Sequence, residues 1–178
     1  MILKDGDILL CKSNDLISRL IKWGTGSIYS HVAIVASAEL GLIIEAVPAG
    51  GVRAIYAGNY KTPYDIYRIR EGYNYNLVGV ISYLIKMLTR NYDFFALIKL
   101  ALKMFLRKLR LAELLRLKII RNKKAADTLQ EDNDFFCSEL CYRAFNVGGG
   151  LDIVPNVASA ETTSPGDVAS SGVLVAVK

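Results

Sequence analysis

The sequence predicts an α+β fold, because strand-like runs fill the first half of the chain and helical patterns dominate the second half. The chain has 178 residues, of which 52% are hydrophobic, so it can bury a sizeable core. We therefore expect residues 1–178 to form a single domain rather than two.

Short apolar runs separated by turn residues make up the first half. An opening strand ends at Cys11, and a helix follows with Ser13 or Asn14 as its cap and with Gly24 and Gly26 at its end. Two apolar runs joined by a short turn then predict a β-hairpin, and runs with tyrosine and β-branched residues predict two more strands. The strands predicted after the helix are 32–36, 42–47, 52–56 and 65–69.

Helical patterns dominate the second half. Neither proline nor glycine interrupts residues 94–121, so this segment is compatible with helix throughout. A polar, acidic loop then leads to another helix, which Asn133 or Asp134 can cap. The other predicted elements are helices over 77–88 and 137–146, a turn over 164–167 and a last strand over 172–178.

Composition argues against several classes of protein. The formal net charge of +5 is modest for nucleic-acid binding, and no basic face interleaved with aromatic residues accompanies it, so we expect no nucleic-acid partner. Three cysteines without disulfide-like spacing indicate free thiols in a reducing compartment. The first residues also lack the basic stretch and apolar run of a signal peptide. We therefore expect a cytoplasmic protein, with peripheral attachment to a membrane left open.

His31 is the only histidine in the chain, so any mechanism that needs an imidazole base must use it. It stands at the start of an apolar strand, from which a side chain can face a cleft. A lone histidine is more often a structural residue whose hydrogen bonds are satisfied. On its own, His31 leaves both interpretations open.

Cys137 lies where a polar loop gives way to a helix. A thiol in the first turn of a helix is close to the positive end of the helix dipole, which lowers its pKa and favours the thiolate. A buried cysteine that acts as a small hydrophobic residue is the usual alternative, and this role suits Cys11 and Cys141 better. Because zinc-type cysteine spacing and further histidines are absent from the sequence, we expect no metal and no cofactor.

Glu45 is an acid in an otherwise apolar strand. If the predicted hairpin forms, Glu45 lies on the strand next to His31, where it can fix the tautomer of the imidazole. Burying a carboxylate without a partner costs free energy. This cost favours the orienting role over the alternative, an edge position that faces solvent.

A series of short motifs runs through the chain in a particular order. The motifs are Gly6-Asp7-Ile8, Tyr29-Ser30-His31-Val32, Ile44-Glu45-Ala46, Gly50-Gly51-Val52, Tyr92-Asp93, Cys137-Ser138-Glu139-Leu140 and Ser164-Pro165-Gly166-Asp167. In this order they resemble the permuted NlpC/P60 superfamily, specifically its YiiX/YaeF-like branch, and the match extends over nearly the whole chain. The resemblance implies a papain-like fold, with a central antiparallel sheet packed on helices and with the base before the nucleophile because of circular permutation.

The same resemblance implies roles for individual residues. Cys137 would be the nucleophile, His31 the base and Glu45 the acid that orients the imidazole. Tyr92 resembles a family tyrosine that helps to bind the oxyanion or the substrate in the cleft, although Asn91 replaces the glycine often found before it. The backbone amide of Cys137 is a further oxyanion donor. The implied chemistry is acyl transfer through a thioester, which water or another acceptor resolves.

A basic helical insert is predicted over about 94–124, and it carries most of the excess positive charge, with Glu113 as its single acid. Three interpretations of the insert stay open. It can lie on an anionic membrane or hold a lipid, it can cover the cleft as a lid, or it can pack on the sheet or on a second subunit. Charged residues interrupt every apolar run, so we expect no membrane-spanning helix in it.

Three functional hypotheses follow from the sequence. The leading hypothesis is a cysteine hydrolase of the amidase or peptidase type that acts on an amide bond, such as that of a cell-wall peptide. The second changes the substrate to a lipid ester or acyl group, and the third is a non-enzymatic lipid-binding or partner-binding module on the same scaffold. The expected partners are a peptide-like or acyl substrate, while a lipid surface at the insert and a homo-oligomer stay open.

Overall fold

A six-stranded sheet forms the centre of the fold, and the computed structural model describes residues 2–92 and 135–177. The strands are β1 (Ile8–Cys11), β2 (His31–Ser37), β3 (Leu42–Val47), β4 (Gly51–Tyr56), β5 (Tyr64–Ile69) and β6 (Leu174–Val177). Their order across the sheet is β4-β3-β2-β1-β5-β6, and every neighbouring pair is antiparallel. The predicted α+β fold with a central antiparallel sheet is confirmed.

The predicted hairpin of β2 and β3 forms, with Ala33 opposite Glu45 and Ile34 opposite Ile44. Because side chains alternate along a strand, neighbouring residues serve opposite faces of the sheet. One face carries the main core, and the other carries a smaller cluster that includes Ala33. His31 is two residues before Ala33 on β2, and Glu45 lies opposite Ala33 on β3. Both side chains therefore belong to the same face as Ala33, which is the face with the smaller cluster.

Four α-helices accompany the sheet in the described part of the chain. They are α1 (Leu16–Thr25), α2 (Leu77–Lys86), α3 (Cys137–Arg143) and α4 (Pro165–Ala169). A π-helical turn, Ala144–Gly148, continues α3 directly. None of these described helices is both long enough and apolar enough to cross a bilayer.

The cap of α1 differs from the predicted one. Asp15, rather than Ser13 or Asn14, is the N-cap, and its carboxylate accepts a hydrogen bond from the backbone N–H of Ser18 at 2.9 Å. Ser13 instead donates its hydroxyl to Asp15 at 2.6 Å. Aspartate caps a helix as well as asparagine or serine does, so the type of residue could not fix the position. The helix ends as predicted near Gly26, whose φ of 67° is accessible mainly to glycine.

The segment 164–167 is the first part of α4 rather than the predicted turn. Ser164 and Asp167 form a capping box, in which each side chain accepts a hydrogen bond from the backbone N–H of the other residue. Pro165 takes the first helical position, where its fixed φ is favourable and its missing N–H costs nothing. The Ser-Pro-Gly-Asp pattern is common to turns and to helix starts, and the reciprocal hydrogen bonds favour the helix here.

Two predictions lie outside the described residues, namely the basic insert over 94–124 and the caps Asn133 and Asp134. The residue that precedes α3 is Phe136, which makes no side-chain capping bond. The orphan amides at the start of α3 are therefore not satisfied by a side chain of the N-cap residue.

The main core lies between one face of the sheet and helices α2 and α3. Buried side chains from both layers meet there, including Ile8, Leu10, Val32, Ile34, Ile44, Leu84, Leu140 and Phe145. Helix α2 approaches the π-helical turn closely at Gly79, because a Cβ there would overlap the carbonyl oxygen of Gly148. These contacts hold α3 against β2 and β3 and so fix the position of its first residue.

Candidate active site

His31 and Glu45 meet on one face of the sheet. His31 begins β2, and Glu45 lies on β3 opposite Ala33, two residues further along β2. Diagonal neighbours of this kind lie on the same face and are within reach of long side chains. The Nε2 atom of His31 is 2.8 Å from Oε2 of Glu45. The hairpin register therefore produces the pairing that the sequence predicted.

Glu45 is buried, with 3% of its surface exposed, and both of its carboxylate oxygens have partners. Arg53 lies opposite Glu45 on β4 and donates to Oε1 through Nε at 3.0 Å and through Nη2 at 2.7 Å. The hydroxyl of Tyr60 donates to Oε2 at 3.1 Å, beside His31. Burial alone would raise the pKa of Glu45, but His31 and then Arg53 lower it to about 2. Glu45 is therefore ionised at neutral pH.

Cys137 is the first residue of α3, and the fold brings its thiol to His31. Burial would raise the pKa of this thiol. The positive charge of His31, a hydrogen bond with its ring, and the backbone N–H groups of Val32 and Ser138 outweigh burial and lower the pKa below its ordinary value. The thiol is thus surrounded by groups that stabilise its deprotonated form.

The pKa of His31 moves in the opposite direction. Burial alone would lower it, but the charge and hydrogen bond of Cys137, followed by those of Glu45, raise it to about 10. Because Glu45 binds Nε2, Nδ1 is the ring nitrogen left for the thiol. The arrangement therefore favours a Cys137 thiolate beside a His31 imidazolium, which Glu45 holds from the other side.

The other two cysteines lie in environments that suppress their reactivity. Cys11 is fully buried with its Sγ 3.0 Å from the hydroxyl of Tyr60, and burial raises its pKa to about 12. Cys141 is also fully buried, and burial raises its pKa above the ordinary range. All three cysteines are free thiols. Of the three, only Cys137 has a lowered pKa.

A cleft of about 680 Å³ opens onto these residues, and Cys137, His31, Glu45 and Tyr92 are among those that line it. Tyr92 is half-buried and packs against the main core while it faces the cleft. Much of the remaining wall is apolar, with Ile17, Ile21, Val47, Pro48, Ala49 and Ile55. The four predicted site residues thus line one open cavity.

Sequence reasoning missed Arg53 and Tyr60, which hold Glu45 in place. Arg53 had a detectable signal, because it is a charged residue within the apolar run Gly51–Tyr56 and faces Glu45 once the register of β3 and β4 is known. Tyr60 follows the short 3-10 helix Ala57–Asn59, and no periodic pattern marks it. Its role follows only from the folded position of that loop.

The fold and the site together define a papain-like α+β protein in which the strand with the histidine precedes the helix with the cysteine. The chain is similar to the solved structure of the metalloprotein YiiX from Escherichia coli O157:H7, with a TM-score of 0.68 and 16% identity. The likeness covers 100% of this chain and 98% of that one, and at this identity it concerns the fold alone. No protein-family model matches the chain, and neither does any curated protein.

YiiX is described as a metalloprotein. Within residues 2–92 and 135–177, no three His, Cys, Asp or Glu side chains are grouped so that they could hold a metal ion. The side chains that converge on the cleft of this chain are instead those of a cysteine, a histidine and an acid in series.

Proposed function

We propose that this protein is a cysteine hydrolase of the amidase or peptidase type, and a member of the YiiX/YaeF-like branch of the permuted NlpC/P60 superfamily. The observation that carries the proposal is the Cys137–His31–Glu45 series, in which a thiol with a lowered pKa, an imidazole with a raised pKa and an ionised carboxylate follow one another. The YiiX-like fold supports the placement in the branch. The open cleft beside the thiol supports a role in catalysis over a purely structural one.

The proposed reaction begins with transfer of the thiol proton of Cys137 to Nδ1 of His31, which the lowered pKa of the thiol and the raised pKa of His31 favour. Sγ of Cys137 attacks the carbonyl carbon of the amide, and the electron pair of the C=O bond moves onto oxygen. The backbone N–H of Cys137 stabilises this oxyanion, with Tyr92 as a further donor from the cleft wall. His31 gives the proton on Nδ1 to the departing nitrogen, the C–N bond breaks, and a thioester remains.

The second half of the reaction reverses these roles. His31 takes a proton from water, and the resulting hydroxide attacks the thioester carbonyl. The C–S bond then breaks, which releases a carboxylic acid and restores the thiolate and the imidazolium. Throughout both steps, Glu45 keeps its hydrogen bond with Nε2 of His31, so that Nδ1 of the same ring always faces the reacting atoms.

We propose to test peptides first, including cell-wall stem peptides, as substrates whose amide bonds the enzyme would hydrolyse. Purified protein is incubated with a panel of such peptides, and new amine and carboxylate ends are measured by mass spectrometry. We expect cleavage by the wild type and by Cys141→Ser, which leaves the site intact, and none by Cys137→Ser. Cleavage that persists in folded Cys137→Ser would contradict the proposed nucleophile.

A second candidate keeps the mechanism but takes a lipid ester or acyl group, and the apolar wall of the cleft favours it. A phospholipid substrate would leave its fatty acyl chain on Cys137, which raises the intact mass by that of the chain and is reversed by hydroxylamine. Incubation with a short-chain phosphatidylcholine followed by intact mass spectrometry separates this candidate from the amidase. If neither substrate class modifies Cys137 or is turned over, the non-enzymatic binding module becomes the better explanation.

A further inference from the structure

The acids that line the cleft already receive hydrogen bonds from the chain itself. Asp15 and Glu45 are the two acids among the lining residues. Asp15 accepts hydrogen bonds from the backbone N–H of Ser18 at 2.9 Å and from the hydroxyls of Ser13 and Ser18, each at 2.6 Å. Glu45 is bonded to His31, to the Tyr60 hydroxyl and twice to Arg53. A carboxylate has about four acceptor sites, so these two acids have little accepting capacity left.

Arg53 keeps donors that the chain does not use. A guanidinium carries five N–H bonds in one plane, and pairs of them form forks that fit a carboxylate. One fork, of Nε and Nη2, binds Oε1 of Glu45 at 3.0 and 2.7 Å. The fork of Nη1 with the second N–H of Nη2 has no partner within residues 2–92 and 135–177. Since the side chain is 46% exposed and lines the cleft, this fork is open to a ligand.

The segment that follows the short 3-10 helix adds a second cation to the cleft. The hydroxyl of Tyr60 lies 3.1 Å from Glu45, which holds this segment close to the site. Asn59, Lys61 and Thr62, on either side of Tyr60, also line the cleft. Lys61 is exposed, and in the described part of the chain its ammonium forms no ion pair. The cations of the cleft therefore have spare donors, whereas its acids have few spare acceptors.

This imbalance selects a ligand that brings negatively charged acceptors. The free fork of Arg53 is planar and offers two parallel N–H bonds, which match the two oxygens of a carboxylate. Glu45 binds the neighbouring fork of the same guanidinium through one of its oxygens. Lys61 adds a positive charge with three rotatable N–H donors, which suits a charged acceptor better than a neutral one.

Arg53 is too far from Cys137 to contact the carbonyl under attack. Three hydrogen bonds of about 3 Å each separate the thiol from the guanidinium, by way of His31 and Glu45. With the widths of the ring and the carboxylate, the path is on the order of 10 Å, which corresponds to about three residues of extended peptide. A group bound by Arg53 therefore belongs to a part of the substrate that is remote from the bond cleaved.

We propose that Arg53 and Lys61 form a subsite for a carboxylate of the peptide substrate, about three residues from the scissile bond. This inference rests on the proposed function, because it names the substrate class of the same site, namely an acidic peptide with a glutamate or aspartate side chain at that position. Arg53 then has two roles, since one fork holds Glu45 and the other binds the substrate.

Matched peptides test the subsite. Each peptide carries a single glutamate at a defined distance from the scissile bond, and its partner carries glutamine at the same position. We expect kcat/KM to be about tenfold higher for glutamate at the favoured position, because a hydrogen bond between charged groups is stronger than one to a neutral amide. Added salt should reduce this preference.

Variants of the two cations locate the preference. Lys61→Gln should lower the ratio of kcat/KM for glutamate over glutamine severalfold, and Lys61→Arg should keep it. Arg53→Lys retains a positive charge near Glu45 but has no second fork, so most of the preference should be lost. Because Arg53 also supports Glu45, its readout is the ratio between the two peptides rather than the rate. The matched control is Lys86→Gln, which removes an exposed lysine of α2 outside the cleft and should leave the ratio unchanged.

A binding measurement separates this inference from the proposed hydrolysis. Calorimetry with folded Cys137→Ser compares the same glutamate and glutamine peptides without turnover. We expect the glutamate peptide to bind about tenfold more tightly, and Lys61→Gln in this background should reduce the difference. This result would support the subsite even if the wild type cleaves no peptide. Cleavage by the wild type without any preference for glutamate would leave the proposed function intact and remove the subsite.

Three results would overturn the subsite. The first is an equal response to glutamate and glutamine at every position, in both cleavage and binding. The second is a preference for glutamate that persists in Lys61→Gln and in Arg53→Lys, since the carboxylate would then bind elsewhere. The third is binding of short-chain phosphatidylglycerol that Lys61→Gln weakens while the two peptides are not distinguished, which would assign these cations to a lipid phosphate.

Discussion

Replacing His31 by asparagine should make Cys137 behave like an ordinary buried thiol. The wild-type site lowers the pKa of Cys137 below 9.0, whereas burial raises that of Cys11 to about 12. The difference of at least three pKa units corresponds to at least about 1,000-fold more thiolate on Cys137 than on Cys11 at neutral pH. A thiolate of lower pKa is intrinsically less nucleophilic, with a slope of about 0.5, which reduces the expected advantage to about 30-fold.

The loss in His31→Asn follows from the same quantities. An opposite charge at hydrogen-bond range lowers a pKa by about one to three units, so its removal raises the pKa of Cys137 by that amount. With the same correction for nucleophilicity, alkylation of Cys137 at neutral pH should slow by about 3- to 30-fold. The midpoint of the pH profile for alkylation should move upward in parallel.

The assay is a time course with iodoacetamide, followed by digestion and mass spectrometry of the three cysteine peptides. In the wild type, Cys137 should react first, and Cys141→Ser should not change its rate. Equal rates for all three thiols in the folded wild type would refute the thiolate–imidazolium pair. A rate in folded His31→Asn equal to that of the wild type would show that His31 does not lower the pKa of the thiol.

Three further predictions concern the same site and the packing that supports it. Since His31 is the only histidine, its imidazole proton signal in NMR should titrate near pH 10, and Cys137→Ser should lower that pKa by removing the largest stabilising charge. Glu45 has a folded pKa of about 2 against an ordinary value of 4.5, so it contributes about 3 kcal/mol above pH 4.5, which is lost as the pH falls towards 2. Urea unfolding of Glu45→Gln should therefore depend less on pH in that window than unfolding of the wild type. Gly79→Ala should cost about 2 kcal/mol or more in the same assay, because its Cβ would overlap a carbonyl of the facing π-helical turn, whereas Gly172→Ala, which meets no atom, should cost little. Unchanged values in these variants would contradict the corresponding contacts.

The sequence predicts the pairing of His31 with Glu45 because a hairpin leaves few alternatives. Two apolar strands joined by a short turn must pair antiparallel, and the need to bury one face restricts the register. The acid within the second strand, Glu45, then has only a few neighbours. Among them, His31 at the start of the first strand can provide a hydrogen-bond partner for its carboxylate. The structure shows this pair at 2.8 Å.

The meeting of Cys137 with this pair could not be obtained from local pattern. The helix that carries Cys137 is separated from β2 by about a hundred residues of chain, and only the packed core places it. The contact between Cys137 and His31 was predicted from the resemblance of the motif order to a known family, and no pattern in the sequence predicts it on physical grounds. Tyr60 shows the same limitation, because the loop that carries it acquires its position only from the folded strands β4 and β5 on either side.

Arg53 explains how the site tolerates so much charge in a buried place. Cys137, His31, Glu45 and Arg53 alternate in sign, so each charge has an opposite neighbour and the four sum to zero. Without Arg53, the thiolate and the carboxylate would share one imidazolium, and the net negative charge would raise the pKa of the thiol. In the described part of the chain, every buried side-chain nitrogen or oxygen has a hydrogen-bond partner, which is the condition under which buried charges persist. The side chain of Arg53 is 46% exposed, so this arginine contacts solvent on one side and the buried carboxylate of Glu45 on the other. A half-exposed arginine thus allows Glu45 to remain ionised while the pKa of Cys137 stays below its ordinary value.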